Sequence, residues 1–262
     1  MNQNKRLKVG IALGSGGGRG LAHIGVLKVL EENNIPIDFI AGSSIGALIG
    51  GFYASGLSIS KIEEIALSTN WRKIFSIIDL NYKQGLIKGD KLKFFIEKNL
   101  INKKFEKCKI PFIAVATDLK TGSTITFNKG NLATAIRASI SIPLIFRPLK
   151  IGKYILADGG LSSPVPVDIA RQMGAQIIIA VNLDNHNLNK SWVPKWYGPA
   201  EESLSILRHH LGHLSSRNAD IVLDINTGNT YWYEFFNGKD KILLGEESAK
   251  KAIQNIKKLL YR

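Results

Sequence analysis

Residues 37–50 read IDFIAGSSIGALIG. The largely apolar run Ile37 to Ala41 predicts a buried strand, Gly42–Ser43 a turn, and the small and apolar residues from Ile45 onward a tightly packed helix. The corner, Gly42-Ser43-Ser44-Ile45-Gly46, is a Gly-x-Ser-x-Gly pentapeptide. Such a strand–turn–helix elbow pushes its central serine into a strained, exposed position, and the flanking glycines let the backbone crowd together without side-chain clashes. Ser44 then sits at the carboxyl end of a strand, where the dipole of the following helix favours developing negative charge. An ordinary turn with a serine helix cap fits the same five residues, so the rest of the chain has to decide.

Upstream, Lys8 to Leu13 (KVGIAL) predicts a strand that runs into the loop Gly14-Ser15-Gly16-Gly17-Gly18-Arg19-Gly20. Leu21, Ile24, Val26, Leu27, Val29 and Leu30 give the next helix an apolar face, and Asn33, Asn34 and Pro36 stop it. Two strands, each ending in a glycine-rich turn into a helix, imply a parallel sheet with its functional loops at the strand carboxyl ends. Successive glycines at a helix start present unobstructed backbone N–H groups to an anion. The loop is no P-loop, since Arg19-Gly20-Leu21 stands where Gly-Lys-Ser/Thr is needed. It is a poor dinucleotide fingerprint as well: Ser15 or Arg19 occupies a glycine position, and no acidic residue follows the second strand, whose Asp38 lies at its start. An unspecialised anion-binding turn stays open.

Downstream, helices are predicted at Ser60 to Leu67 and Asp90 to Leu100, with Trp71 to Leu86 between them as a lid or an irregular excursion. Pro111 to Asp118 is a buried strand, Thr121–Gly122 a turn into Ser123 to Asn128, and Leu132 to Ser139 a short helix. Tyr154 to Ala157 is strand-like and delivers Asp158-Gly159-Gly160. Val167 to Met173 is helical, Gln176 to Leu183 a β-branched buried strand, and residues 184 to 200 a polar surface loop. Glu201 to Ser216 is a helix, Asp220 to Ile225 a strand and Glu246 to Leu260 an amphipathic helix with a lysine-rich outer face. With no repeat, low-complexity tract or linker, residues 1–262 are expected to form one domain, a core at about 8–183 and an extension at 184–262.

Composition narrows the classes. Hydrophobic residues make up 45% of the chain, ample for a core. The net charge of +14 suggests attraction to something anionic, but the lysines are scattered and no nucleic-acid module accompanies them, so nucleic acid is not expected. A solvated lysine-rich surface explains the same charge. Cys108 is the single cysteine, which excludes an internal disulfide and a cysteine-rich metal site. The apolar run Val9 to Leu13 is too short for a signal peptide and nothing approaches a membrane span, so a cytoplasmic protein, with peripheral membrane contact at most, is expected.

A serine nucleophile needs a base. His186, His209, His210 and His213 follow the acid in the order of a Ser-Asp-His triad. Three of them share one polar helix and read as a solvated face, while His23 reads as a helix-packing residue. Asp158 ends a strand before two glycines that permit a tight turn. A buried carboxylate bonded to a serine hydroxyl can act as a base without an imidazole, although an Asp-Gly-Gly turn is often only structural.

Taken together, GSGGGRGLAHIGVLKVLEE at 14–32, IAGSSIGALIGGFYASG at 40–56 and ADGGLSSPVPVDIARQMGA at 157–175 resemble the patatin-like phospholipases, in their order and spacing as well as their residues. The similarity runs from about Lys8 through Leu183, and the tail is similar to that of small bacterial single-domain members. The resemblance implies a three-layer α/β/α fold with a mostly parallel central sheet. It implies hydrolysis of carboxylic esters in phospholipids, lysophospholipids or related lipids, with Ser44 as nucleophile and Asp158 as its activating base. It further implies an oxyanion hole from Gly16, Gly17 and Gly18 beside Arg19, motif glycines at Gly42, Gly46, Gly159 and Gly160, and neither metal nor cofactor. Two departures stand out: Ser15 replaces a first glycine of the loop, and Ser162–Ser163 replace an asparagine common before the proline. A triad esterase and a non-catalytic regulatory protein on the same fold are the alternatives.

Overall fold

The structure, a computed structural model, describes residues 6–74, 87–185, 198–228, 234–235 and 237–260. Strand β1 (Val9–Leu13) is buried throughout and lies between β2 (Phe39–Ser43) and β7 (Ile177–Asn182), parallel to both. Beyond these, β3 (Phe112–Asp118) runs parallel to β2, and β8 (Ile221–Asp224) parallel to β7. The other side of the sheet is antiparallel: β4 (Thr124–Phe127) and β6 (Tyr154–Asp158) pair with β3, and β5 (Leu149–Ile151) pairs with β6. The order is β5-β6-β3-β2-β1-β7-β8, with β4 on β3 outside that path.

Alternation along the central strands makes the layers. Val9, Ile11 and Leu13, with Ile177, Ile179 and Val181, face one core, whereas Ala12, Ile178 and Ala180 face the other. The first core is covered by α1 (Ala22–Glu32), α2 (Ile45–Ala54), α3 (Ile59–Ser68), α5 (Asp90–Asn99), α6 (Leu132–Ser139) and α9 (Gly238–Leu260), with the short α4 (Trp71–Ile74) before α5. The second is covered by α7 (Val167–Gln172), with α8 (Gly198–Ser216) against α7 and β7. The result is the expected three-layer arrangement around a mostly parallel sheet.

Three expectations change. The closing helix begins at Gly238 rather than Glu246, because Gly245 is an interior helical residue. A Cβ on Gly245 would collide with the Ala22 carbonyl, and one on Gly25 with the Ile242 carbonyl, so the two glycines let α1 and α9 cross at backbone contact. Strand β5, unanticipated, completes a short antiparallel pair. Asp184, expected in a surface loop, is fully buried. The stretch expected as lid or excursion is helical at Trp71–Ile74, and 75–86 lie outside the described residues, as do 186–197 of the polar loop.

Replacing Gly245 with alanine forces α9 away from α1 and is expected to cost about 2–3 kcal/mol. Lys251→Ala on the exposed face of the same helix should stay within about 0.5 kcal/mol. Urea melts of the two variants beside the parent check both values.

Candidate active site

Register explains how two motifs more than a hundred residues apart come together. On β3, Val115 pairs with Ser43 of β2, and the next residue, Ala116, pairs with Asp158 of β6. Strand β4 pairs with Ala114 to Thr117, overlapping both partners, so β2 and β6 share the opposite edge of β3. Since β2 runs parallel to β3 and β6 antiparallel, their carboxyl ends meet head-on, and the residues that follow them are Ser44 and Gly159. A Cβ on Gly159 would strike the Val115 carbonyl and come within 2.7 Å of Ser43 Oγ, so this junction admits only glycine.

Ser44 sits between β2 and α2 with φ 55° and ψ −120°, a left-handed conformation strained for a serine. The neighbouring glycines make the corner: a Cβ on Gly42 would lie 2.6 Å from the Gly46 carbonyl, and one on Gly46 would run into that of Leu13. The Ser44 hydroxyl donates to Asp158 Oδ2 at 2.6 Å, and its backbone N–H donates to Ser139 Oγ at 2.8 Å. The cap reading fails here, because the Ser44 side chain caps no backbone N–H of α2.

Asp158 is buried, with Oδ1 accepting from the Gly160 N–H at 2.8 Å, so its two oxygens are divided between turn and serine. Its own N–H donates to the Ser141 carbonyl at 3.0 Å, and its carbonyl accepts from Thr117 Oγ1 at 2.9 Å. Burial pushes the carboxyl up to about 6, against the hydrogen bonds from Ser44 and Gly160 and the positive charge of Arg208. Ser162, at the departure from the family pattern, bonds Thr117 at 2.8 Å and Thr124 at 3.0 Å, tying the acid turn to β3 and β4.

The glycine loop enters a 3-10 turn at Gly17–Leu21, with Gly17 left-handed at φ 58°. The first N–H groups of such a turn have no partner within it, and among the described residues those of Gly17 and Gly18 make no backbone hydrogen bond; that of Arg19 donates to the Gly16 carbonyl at 3.2 Å. Arg19 turns its guanidinium into the protein. It pairs with Asp184 at 3.0 Å, both side chains 1% exposed, and its Nε donates to the Gly16 carbonyl. Burial pulls Arg19 down to about 10 despite Asp184, leaving it cationic at neutral pH. Ser15 donates to the other Asp184 oxygen at 3.0 Å, so the departure at 15 serves the loop's anchor.

Gly17 and Ser44 line a cleft walled by Leu48, Trp71, Leu92, Ile140, Ile142 and Phe235. Trp71 stacks on Phe235 with centroids 4.4 Å apart. Sequence reasoning missed these walls and the Ser139–Ser141 turn; no spacing signal links residues from five separate segments. The four candidate histidines divide differently. His209 Nδ1 bonds the Asp184 carbonyl at 2.7 Å, His213 lies 3.6 Å from Asp224, His210 is exposed, and His186 lies outside the described residues. His23 is buried with Nε2 at 2.8 Å from the Gly14 carbonyl, and desolvation pulls it down to about 4, so it is neutral and braces the loop.

A parallel-centred sheet wrapped on both faces, with an elbow serine and an acid turn closing on one strand edge, is the framework of a patatin-like α/β/α domain. Residues 11–171 match the family model described as patatin-like phospholipase, and the chain belongs to that family. It is 39% identical over 178 residues to an uncharacterized NTE family protein of Mycobacterium tuberculosis, covering 68% of this chain and 49% of the relative. It is 34% identical over 187 residues to patatin-like phospholipase domain-containing protein 6 of Homo sapiens, covering 68% of this chain and 14% of that protein. The chain thus matches about half the length of the first relative and a small part of the second. VipD from Legionella pneumophila superposes with a TM-score of 0.66 at 13% identity, covering 97% of this chain and 67% of that one. The type III effector ExoU gives 0.52 at 12% identity, over 97% and 54%. At these identities the likeness is one of fold.

Because burial raises Asp158 from 3.8 to about 6, the folded protein holds this proton more tightly than the unfolded chain does. The ionisation penalty is therefore absent below the unfolded value, grows as pH rises, and is complete above the folded one. Asp158→Asn, which cannot ionise, is expected to stabilise the fold by up to about 3 kcal/mol at about pH 8 and to gain nothing below about pH 4. Thermal melts across that range check the sign.

Proposed function

We propose that this protein is a serine lipid acyl hydrolase, cleaving carboxylic esters of phospholipids, lysophospholipids or related lipids through Ser44 and Asp158. The observation that carries the reading is the 2.6 Å hydrogen bond from Ser44 Oγ to Asp158 Oδ2 at the end of an apolar cleft. The family and the phospholipase name of the human relative support the substrate class.

In the proposed reaction the acyl chain lies against the cleft walls and its ester carbonyl rests between Ser44 and Gly17. Ser44 Oγ attacks the carbonyl carbon as its proton passes to Asp158. The oxyanion is met by the amides of Gly17 and Gly18 within the Gly16–Arg19 loop. Collapse expels the alcohol, which takes the proton from Asp158, and leaves the acyl group on Ser44. Water then attacks the acyl-enzyme, again giving its proton to Asp158, and fatty acid departs as Ser44 recovers its hydrogen. The geometry favours this dyad over a Ser-His-Asp triad, because both carboxylate oxygens of Asp158 are bonded to Ser44 and Gly160. No helix of the described residues is long and apolar enough to cross a membrane. We place the encounter with lipid at the surface of an anionic bilayer, drawn by the charge of +14.

Ser44→Ala and Asp158→Ala are each expected to cut hydrolysis of a nitrophenyl ester and a lysophospholipid by about three orders of magnitude or more, with loss of fluorophosphonate labelling in the first. Full turnover in either variant would place the chemistry elsewhere. The base must be ionised, so kcat/KM should rise tenfold per pH unit up to a bend at about 6 and level off above it. Sedimentation with vesicles should increase with anionic lipid and fall with salt; binding indifferent to both would remove the bilayer step.

A further inference from the structure

Arg208 is a guanidinium near the site that the proposed chemistry leaves without work. It stands on the face of α8 that packs on the carboxyl end of β7. His209 Nδ1 is held at 2.7 Å to the Asp184 carbonyl, and a Cβ on Gly212 would lie 2.9 Å from Asn182 Oδ1 and 3.2 Å from Asp184 Cβ. Asp184 in turn accepts from Ser15, which packs against the acid turn, where a Cβ on Gly160 would come 3.1 Å from it. The Arg208 charge is felt at both Asp158 and Arg19.

Its Nε is not matched by that surrounding. Arg208 Nε is buried without a hydrogen-bond partner among the described residues. The two carboxylates in its neighbourhood are committed elsewhere: Asp184 to Arg19 and Ser15, Asp158 to Ser44 and Gly160. A buried guanidinium nitrogen without an acceptor is costly, and an incoming anion relieves that cost. The cleft is lined by Gly17 and Ser44 but not by Asp158, so in the proposed reaction, with the acyl chain in the cleft, the alcohol departs on the Asp158 side. In a lysophospholipid that alcohol carries a phosphodiester only a glycerol backbone away from the scissile oxygen.

We propose that Arg208 forms a leaving-group subsite that binds the phosphodiester of a phospholipid or lysophospholipid beside Ser44 and Asp158. The subsite rests on the hydrolase reading for its place in the reaction. It makes the enzyme prefer a phosphate-bearing ester over a neutral glyceride of the same acyl chain.

The test compares a short-chain lysophosphatidylcholine with the matching monoacylglycerol, both monomeric, so that bilayer docking plays no part. Arg208→Ala should lower kcat/KM on the lysophospholipid at least about tenfold more than on the monoacylglycerol, mainly through KM, and Arg208→Lys should restore part of the difference. If Arg208→Ala does not fold, Arg208→Gln carries the same comparison. Equal losses on both esters, or none, would overturn the subsite. Should the wild type turn over neither ester, the hydrolase reading falls, and binding of the ether-linked analogues of the two lipids decides the subsite separately. Preference for the phosphate-bearing ether that disappears in Arg208→Gln keeps it; no such preference ends it. Inorganic phosphate binding that depends on Arg208, with no discrimination between the lipids, would make this a free-anion site and equally overturn the proposal.

Discussion

The head-on meeting of β2 and β6 along one edge of β3 is the constraint on which the site depends. Each strand ends because the other occupies the next position on β3, and each chain must leave the sheet within one residue. Ser44 does so through a left-handed turn and Asp158 through a short 3-10 turn at Gly159–Leu161. Only residues without side chains fit where backbones pass this closely, which is why Gly42, Gly46 and Gly159 flank the junction. The 2.6 Å Ser44–Asp158 bond is a consequence of strand register before it is anything chemical.

The glycine loop is fixed to the chain just past the carboxyl end of β7 by a buried ion pair. Taking Arg19 and Asp184 out of water costs several kcal/mol per ion, recovered only when geometry and remaining hydrogen bonds are good. Here Arg19 also bonds the Gly16 carbonyl and Asp184 also accepts from Ser15, so both ends of the pair act on the loop itself. His23 adds a neutral brace at Gly14. The loop amides are thereby held in place by groups behind them, and the face toward the cleft stays free of side chains. Removing one member of the pair would leave a buried charge uncompensated and release the loop, an effect larger than the net worth of the pair.

Much of this was legible in the sequence, for identifiable reasons. The glycines, Ser44 and Asp158 sit in local patterns whose meaning depends on residues within five positions, and the parallel order follows from alternating strands and helices. What could not be read was set by tertiary approach. Gly245 resembles a helix boundary when seen alone and is an interior residue only because Ala22 lies across it. Asp184 opens a polar stretch and becomes a core residue only because Arg19, 165 positions earlier, points at it. The cleft walls come from five segments, and the Ser139 and Ser141 contacts to Ser44 and Asp158 come from the end of α6, with no periodicity to announce them.

A carboxylate serving as base in place of an imidazole needs its proton affinity raised without losing its grip on the serine. Two opposing influences meet at Asp158: burial drives its value up, and hydrogen bonds from Ser44 and Gly160 with the charge of Arg208 hold it down. Burial wins, by enough to bring the group near neutrality without leaving it protonated at pH 7. Removing the Gly160 bond would carry it further up, and opening the site to water would drop it back toward an ordinary aspartate, a weak base. The proposed chemistry therefore requires a turn that supplies one backbone N–H to Oδ1 and none to Oδ2. Gly160, with its N–H 2.8 Å from Oδ1 and no side chain to reach the other oxygen, meets that requirement.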